Sequence, residues 1–559
     1  MSDPINNIRV AILCKGFSYE KWEADCIKEV LSLKEVVPVL LISDAESFVD
    51  APKGISKIRK YPFRNLFWRI YSRLKLKIPE FENVSLENEL KNVPIIRCKT
   101  ELRGKYSRHF SNSDIEIIKS HKPDIILRFA FDILRGEILT VAQYGVWSFH
   151  HADEQVIRGG PAAFWEIYNH NPVTGAILQR LTEKLDAGII LRKGYFSTIF
   201  HSHKENLEQL IEGTNSWMKQ AILDIVYNNS PALSGKAVET NAPVYHFPKN
   251  YQMLRFRRKQ LFNKFRFHLR ELFQPEDWNI GVVNQTAEDV LQNGLKSELY
   301  WLPESKSGEY AADPFGWEEN GKLKIVFEKY SYKNQKGILA TTNKEGNSNK
   351  LLEAKVHLSY PFVIDRSDNK SQSRVIMPES SNAGNVFCFD SEHPEKGKII
   401  LENIPAIDAT PLFYNNKWWI FCTLEGRFNN IELNIFYSDS FDGKWNSHKN
   451  NPVKTDIRSA RPGGTPFFIG SKLFRPSQDC SVSYGTAIIL NEIVRLDEFV
   501  FEEKQVKRIE PKQEWKFNKG LHTFSIVNKS ILIDAKRYSF NFDNFNHVLS
   551  RKLKRIFRK

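Results

Sequence analysis

The chain has 559 residues, of which 41% are hydrophobic and 26% charged, and a formal net charge of +14. Such a length exceeds what one core organises, so two or more domains are expected, and the composition excludes long disordered tracts. No apolar run approaches the roughly 20 residues that span a bilayer. The opening MSDPINNIRVAILC has no basic segment followed by an apolar core and a small-residue cleavage site, so it reads as the start of a folded domain. Six scattered cysteines form no CxxC pair, which fits structural thiols in a reducing cytoplasm; no metal-site spacing is present.

Ile8–Cys14 (IRVAILC) is a short apolar run, followed by a helical pattern through Lys34 and a second apolar run, Val36–Ser43 (VVPVLLIS). Apolar strands alternating with helices predict a parallel sheet covered on both faces. The turn after the first strand, CKGFSYEKW, has a single glycine, which argues against a dinucleotide site. Phe48–Glu101 reads as an insertion. Ser111–Lys122 is expected as a helix, Pro123–Phe129 (PDIILRF) and Gly145–Phe149 (GVWSF) as strands, with His150 just past the second. Open parallel sheets bind ligands at the carboxyl ends of their strands, which is where this places His150. A strand GIILRKGYF from Gly188, a helix Lys204–Tyr227 and a turn at Ser230–Gly235 close the domain near residue 240.

Gly145–Gly188 carries four features in order: Ser148-Phe149-His150, Arg158-Gly159, Thr174-Gly175 and Leu185-Asp186-Ala187-Gly188. Their order and separations resemble the formyltransferase family that uses 10-formyltetrahydrofolate. The departure is Ser148, where that family has a catalytic asparagine. The resemblance implies a Rossmann-like α/β domain in which the catalytic residues are the pair His150 and Asp186 together with Ser148 in the asparagine's place. It also implies a folate pocket drawing on Arg128, Phe129 and Ala130 at the end of a strand, with Arg158 and Gly159 shaping it. Formyl transfer needs such groups: donors aimed at a developing oxyanion, and an imidazole oriented by a carboxylate to carry the amine's proton to the leaving nitrogen.

The second half repeats. ADPFGWEENGKLKIVFEK, SYPFVIDRSDNKSQSRVIMPES, ATPLFYNNKWWIFCTLE, GTPFFIGSKLFRPSQD and LHTFSIVNKSILIDAK each join two apolar strands through a turn, about 50 residues apart. This period predicts an all-β five-bladed propeller, with Trp278–Asn284 pairing into the last blade. Its funnel is expected to gather Asp313, Glu328, Glu379, Asp408, Arg475, Asp479, His522 and Lys536, with Trp317, Trp418 and Trp419 nearby. Carboxylates with aromatics suit carbohydrate recognition, and paired carboxylates suit glycoside chemistry. ADPF, MPES, the Trp-Trp strand, ARPGG and RPSQDCSVSYG resemble the N-terminal region of plant glucosamine inositolphosphorylceramide transferases, itself similar to five-bladed glycosidase propellers.

The domains expected are therefore a formyltransferase-like α/β domain over 1–240, a basic linker over 241–275, a propeller over 276–540 and a basic tail over 541–559. The excess positive charge concentrates in Arg59–Lys77, Asn250–Leu272 and Arg551–Lys559, each interleaved with aromatic or aliphatic residues. This pattern fits an anionic membrane surface, an anionic glycan or packing between domains. No nucleic-acid module accompanies it, so nucleic acid is not expected as a partner. The combined expectation is a cytoplasmic enzyme, peripheral to the inner face of the membrane. It would move a formyl group from 10-formyltetrahydrofolate to an amino sugar carried on a nucleotide or a lipid-linked glycan. The rival expectation is a carbohydrate-binding or glycan-processing propeller attached to a formyltransferase-like domain that no longer catalyses.

Overall fold

The computed structural model describes residues 7–45, 63–104, 107–227, 235–343, 348–365 and 374–557. Parts of five expected features fall outside these residues: 48–62 of the insertion and with it 59–62 of the first basic stretch, all but the last residue of the Ser230–Gly235 turn, 366–373 of the second repeat, and 558–559 of the basic tail. The chain divides into two compact units, Met1–Lys264 and Phe265–Lys559.

The first unit is built on a seven-stranded sheet: β1 (Ile8–Cys14), β2 (Val36–Asp44), β3 (Ile95–Cys98), β4 (Ile125–Arg128), β5 (Val146–His150), β6 (Val173–Arg180) and β7 (Ile189–Ser197), in the order β7-β6-β5-β4-β1-β2-β3. From β3 to β5 the pairs are parallel; β5–β6 and β6–β7 are antiparallel. Central strands covered on both faces must be apolar throughout, and Ala11, Leu13, Leu40, Ile42, Ile126 and Val146 are all fully buried in one core. The flanking helices start at sequence-encoded caps. Glu20 and Glu23 form a capping box ahead of α1 (Lys21–Leu31); α2 (Leu66–Lys75) follows, and the Ser111 hydroxyl accepts from Asp114 N–H at the head of α3 (Asn112–Ser120).

Three expectations change. β3 comes from the segment read as insertion and extends the sheet. His150 is the last residue of β5 rather than past it, paired with Ile177. The single helix over Lys204–Tyr227 is two, α4 (His203–Glu212) and α5 (Trp217–Val226). The break falls at Gly213, where a Cβ would lie 2.4 Å from the Phe196 ring. The first basic-aromatic stretch is partly structural: Trp68 and Tyr71 of α2 are buried with Phe164 and Phe256. The basic segment after residue 241 holds a short strand, Val244–Tyr245, parallel to Arg158–Gly159, and then α6 (Asn250–Phe273).

Among its described residues the second unit holds five antiparallel sheets in succession. They start at Glu309–Glu319, Ser359–Asp365, Ala406–Tyr414, Phe467–Ile469 and Gly520–Val527. Glu276–Val283, from the start of the unit, pairs with Ser530–Tyr538 in the fifth sheet, with Trp278 opposite Lys536. Hydrogen bonds tie each sheet to the next. Tyr360 N–H donates to Asp313, Asp408 N–H to Glu379, the Gln478 amide to Asp408, and Phe524 N–H to Gly463 ahead of the fourth sheet. The Thr523 hydroxyl donates to Asp313, joining the fifth sheet back to the first.

In four sheets the leading strand has a register break near its start: Ala312/Phe315, Ser359/Phe362, Ile407/Thr410 and Leu521/Phe524. Asp313, Tyr360 and Asp408, inside three of the breaks, have positive φ of 52°, 41° and 50°. Bulges re-aim side chains, and these turn polar groups out of the strand alternation. A last helix, α7 (Phe542–Phe557), ends the described chain.

Candidate active site

At the carboxyl edge of β5, His150 Nδ1 lies 3.6 Å from Asp186 Oδ1. His150 Nε2 lies 3.0 Å from the Ile157 carbonyl oxygen. A carbonyl can only accept, so Nε2 carries a proton and donates it there; Nδ1 is the nitrogen free to take up or give a proton, and it faces Asp186. The other carboxylate oxygen of Asp186 accepts Gly159 N–H at 2.9 Å.

Ser148, buried on β5, accepts a hydrogen bond from Arg128 Nη1 at 2.9 Å, and its own proton points to the Phe149 carbonyl at 3.3 Å. Arg128 Nη2 donates to the Asp132 carbonyl, while its buried Nε has no partner. Burial pulls the guanidinium below its ordinary value, against the charges of Asp132 and Asp186. Phe129 and Phe149 each pack edge-to-face with Trp22, ring centroids 6.0 and 5.9 Å apart. Ala130 packs into the sheet core instead. His151, stacked on Phe149, is pushed down to about 4 by burial and then by the charge of His150, so it is a neutral wall residue at neutral pH.

The glycines of the motifs have steric causes. A Cβ on Gly159, at φ +79°, would stand 2.3 Å from the Tyr245 carbonyl oxygen; one on Gly175 would stand 2.7 Å from Asp153 Cβ; one on Gly188 would stand 2.2 Å from the Arg180 carbonyl oxygen. Thr174 is fixed by Thr198 and Asn206. The Arg158 side chain donates to the Ala242 carbonyl and so straps the loop rather than lining a pocket.

The second unit gathers a buried charged cluster. His522 lies between Asp313 (Nε2–Oδ1 3.1 Å) and Asp534 (Nδ1–Oδ1 2.8 Å). Burial opposes its charge, but Asp534 and Asp313 raise it to about 10. This trio has the donor set of a metal site, yet both ring nitrogens face carboxylates and Asp534 also accepts from the Asp313, His522 and Thr523 backbone. A proton on each nitrogen satisfies the arrangement without an ion. Arg461 bonds Asp408 at 2.6 Å and approaches Glu379 at 3.9 Å. Glu379 is pushed up to about 8 by burial and by Asp408. Burial and the Asp313 charge hold Glu328 well above the carboxylate range. Its Oε1 has no hydrogen-bond partner; the nearest ring nitrogen is His357 Nε2 at 3.5 Å. Trp278 and Tyr484 pack on His522 at 4.1 and 5.2 Å, and Lys536 bonds Glu276 beneath Trp278.

Asp313, Glu328, Glu379, Asp408, His522 and Lys536 therefore lie in one network, whereas two expected members do not. Arg475 is fully buried against Glu503 at 2.7 Å and the Ser459 carbonyl. Asp479 pairs with Arg508. Trp317 and Trp419 sit in cores between sheets. Sequence reading missed Asp534, Arg461 and Tyr484. Asp534 (ILIDAK) follows the same strand as the repeat, and Arg461 and Tyr484 fall in the ARPGG and DCSVSYG segments, so the signal was present but had no geometric anchor.

Residues 296–534 match the family model described as glucosamine inositolphosphorylceramide transferase 1, N-terminal. Over 212 residues the chain is 31% identical to glucosamine inositolphosphorylceramide transferase 1 of Oryza sativa subsp. japonica, covering 35% of this chain and 28% of that relative. Over 167 residues it is 35% identical to methionyl-tRNA formyltransferase of Bacillus velezensis, covering 28% of this chain and 44% of that one. The chain thus spans well under two thirds of either relative; both are transferases by name. A sugar N-formyltransferase from a Shewanella species is a similar solved structure at 13% identity and a TM-score of 0.28, over 43% of this chain and 76% of that one, too weak a likeness to argue from.

Proposed function

We propose that the first unit transfers a formyl group from 10-formyltetrahydrofolate to the amine of an amino sugar in cytoplasmic glycan or glycolipid biosynthesis. In this reading the second unit is a five-bladed propeller that recognises the acceptor glycan. The observation that carries it is the 3.6 Å approach of His150 Nδ1 to Asp186, with Gly159 N–H fixing the carboxylate.

The donor, when bound, supplies an activated formyl carbon. At the ends of β4 and β5 the feature that fits such a group is the orphaned, buried Arg128 Nε, a charged donor open to an oxygen. His150 would hold its Nε2 proton on the Ile157 carbonyl, take the amine's proton at Nδ1 beside the Asp186 carboxylate, and pass it to the leaving nitrogen of the folate. Arg128 would be the group to meet negative charge developing on the formyl oxygen, a role that Ser148, with its hydroxyl already committed, would fill poorly.

The glycan reading of the second unit rests on the Asp313–Glu328–Glu379–Asp408–His522 network and the aromatic faces of Trp278 and Tyr484. Buried carboxyls that stay protonated near neutral pH donate hydrogen bonds to sugar hydroxyls, and aromatic faces suit sugar rings. The alternative, a glycan-binding protein whose first unit no longer catalyses, draws on Ser148. The two are separated by incubating the full chain with 10-formyltetrahydrofolate and a panel of nucleotide-linked amino sugars and following tetrahydrofolate release. Release that depends on an amino sugar supports the enzyme; binding of a folate analogue without release supports the alternative.

A further inference from the structure

The end of the second unit carries an apolar surface that its own fold does not cover. On α7, Phe542, Leu549, Leu553 and Phe557 fall within an arc of about 80° at helical spacing. All four are exposed, Phe557 by 84%. The last turns of α6 pack beside it: Asn544 donates to the Glu271 carbonyl, Arg551 and Lys552 reach the Glu271 carboxylate at 3.0 and 2.7 Å, and the Phe273 ring lies 5.6 Å from Phe545. There too Phe265, Leu269 and Phe273 are exposed at helical spacing. Around these residues stand six cations, Arg266, Arg270, Arg551, Lys552, Lys554 and Arg555, against two carboxylates, Asp543 and Glu271, and Glu271 is taken up by internal pairs.

We propose that this two-helix face docks on a lipid surface bearing anionic headgroups. Large aromatic and leucine side chains flanked by Lys and Arg are what an interfacial helix presents, the apolar stripe entering the acyl boundary while the cations reach the headgroups. Charge decides the occupant. A second copy would oppose six cations with six more, whereas an anionic bilayer complements them. No described helix is long and apolar enough to cross a membrane. The pairing on Glu271 also makes the anchor a property of both helices together, not of the terminal basic run alone.

This inference is independent of the formyl-transfer reading, because vesicle binding is measured without substrate. The test is co-sedimentation of the full chain with vesicles of phosphatidylcholine alone and of phosphatidylcholine with phosphatidylglycerol. Binding is expected only to the second, weakening as added salt shortens the screening length from about 8 Å. Leu553→Asp with Phe557→Asp, and separately Lys554→Glu with Arg555→Glu, should each lower partitioning at least about tenfold. Thermal unfolding should be unchanged, since all four residues are exposed. Pelleting of either variant equal to the parent, or failure of the parent to bind anionic vesicles, overturns the proposal. A concentration-dependent dimer abolished by Leu553→Asp with Phe557→Asp, without vesicle binding, would overturn it too, by making a second copy the occupant.

Discussion

His150 Nδ1 stands 3.6 Å from Asp186 Oδ1 while its Nε2 is held by the Ile157 carbonyl. One imidazole nitrogen is thereby committed and the other is offered to a carboxylate. Asp186→Asn should keep the bond from Gly159 N–H through its remaining carbonyl but place an amide donor against Nδ1, trapping the imidazole neutral. We expect kcat for formyl transfer to fall by about 100- to 10,000-fold with KM for the sugar little changed, measured by steady-state tetrahydrofolate release.

Ser148→Asn should raise formyl transfer. The longer side chain keeps an acceptor for Arg128 and adds an amide donor toward the developing oxyanion, an interaction whose removal elsewhere costs about 100- to 1000-fold. Arg128→Met, by the same reasoning, should lose activity while folate-analogue binding weakens. An Asn variant that binds the analogue normally and shows no gain with any acceptor argues against the assignment.

Gly159→Ala should destabilise the first unit by about 2 kcal/mol or more, because a positive φ and a 2.3 Å approach to the Tyr245 carbonyl act together. It should also disturb the N–H that fixes Asp186. Chemical denaturation read by tryptophan fluorescence measures the first effect.

The second unit should lose stability as pH rises from about 6.5 toward 10. His522 binds its second proton more tightly when folded (pKa about 10) than when unfolded, so its contribution is complete below the unfolded value near 6.5 and is gone above about 10. Glu379, raised to about 8, acts in the same direction, since the folded state again holds the extra proton. Asp534→Asn should flatten the slope of melting temperature against pH over this window; an unchanged slope would contradict the pairing of His522 with Asp534.

Arg475→Met should cost about 3–5 kcal/mol by stranding Glu503, which would keep only Lys454 at 2.7 Å. At temperatures where the variant is folded, glycan binding should be unaltered, which separates Arg475 from the cluster it was expected to join.

What the sequence discloses depends on how locally each feature is determined. His150 and Asp186 are legible because four short motifs share one register, and each motif glycine has a single steric reason. The Arg128–Ser148 bond is not, because it joins side chains of neighbouring strands 20 residues apart and depends on which way each points. In the second half the repeat discloses the strand pairs, and the expected pairing of Trp278–Asn284 into the last of them is found for Glu276–Val283, though not its register. The cluster is only half legible: Asp534 reaches Asp313 across 221 residues, and the bulges at Asp313 and Asp408 break the alternation that strand reading assumes. The same alternation sends Trp317 and Trp419 between sheets, away from the cluster. Trp278 and Tyr484 take that place.

The central claim is tested most directly by label transfer. The full chain is incubated with 10-formyltetrahydrofolate carrying a carbon-13 formyl group and nucleotide-linked amino sugars, and the sugars are examined by mass spectrometry for an N-formyl label. The account predicts a labelled amide with the parent chain and a loss of at least about 100-fold with His150→Ala. A parent chain that binds the folate analogue yet labels no amino sugar would contradict it.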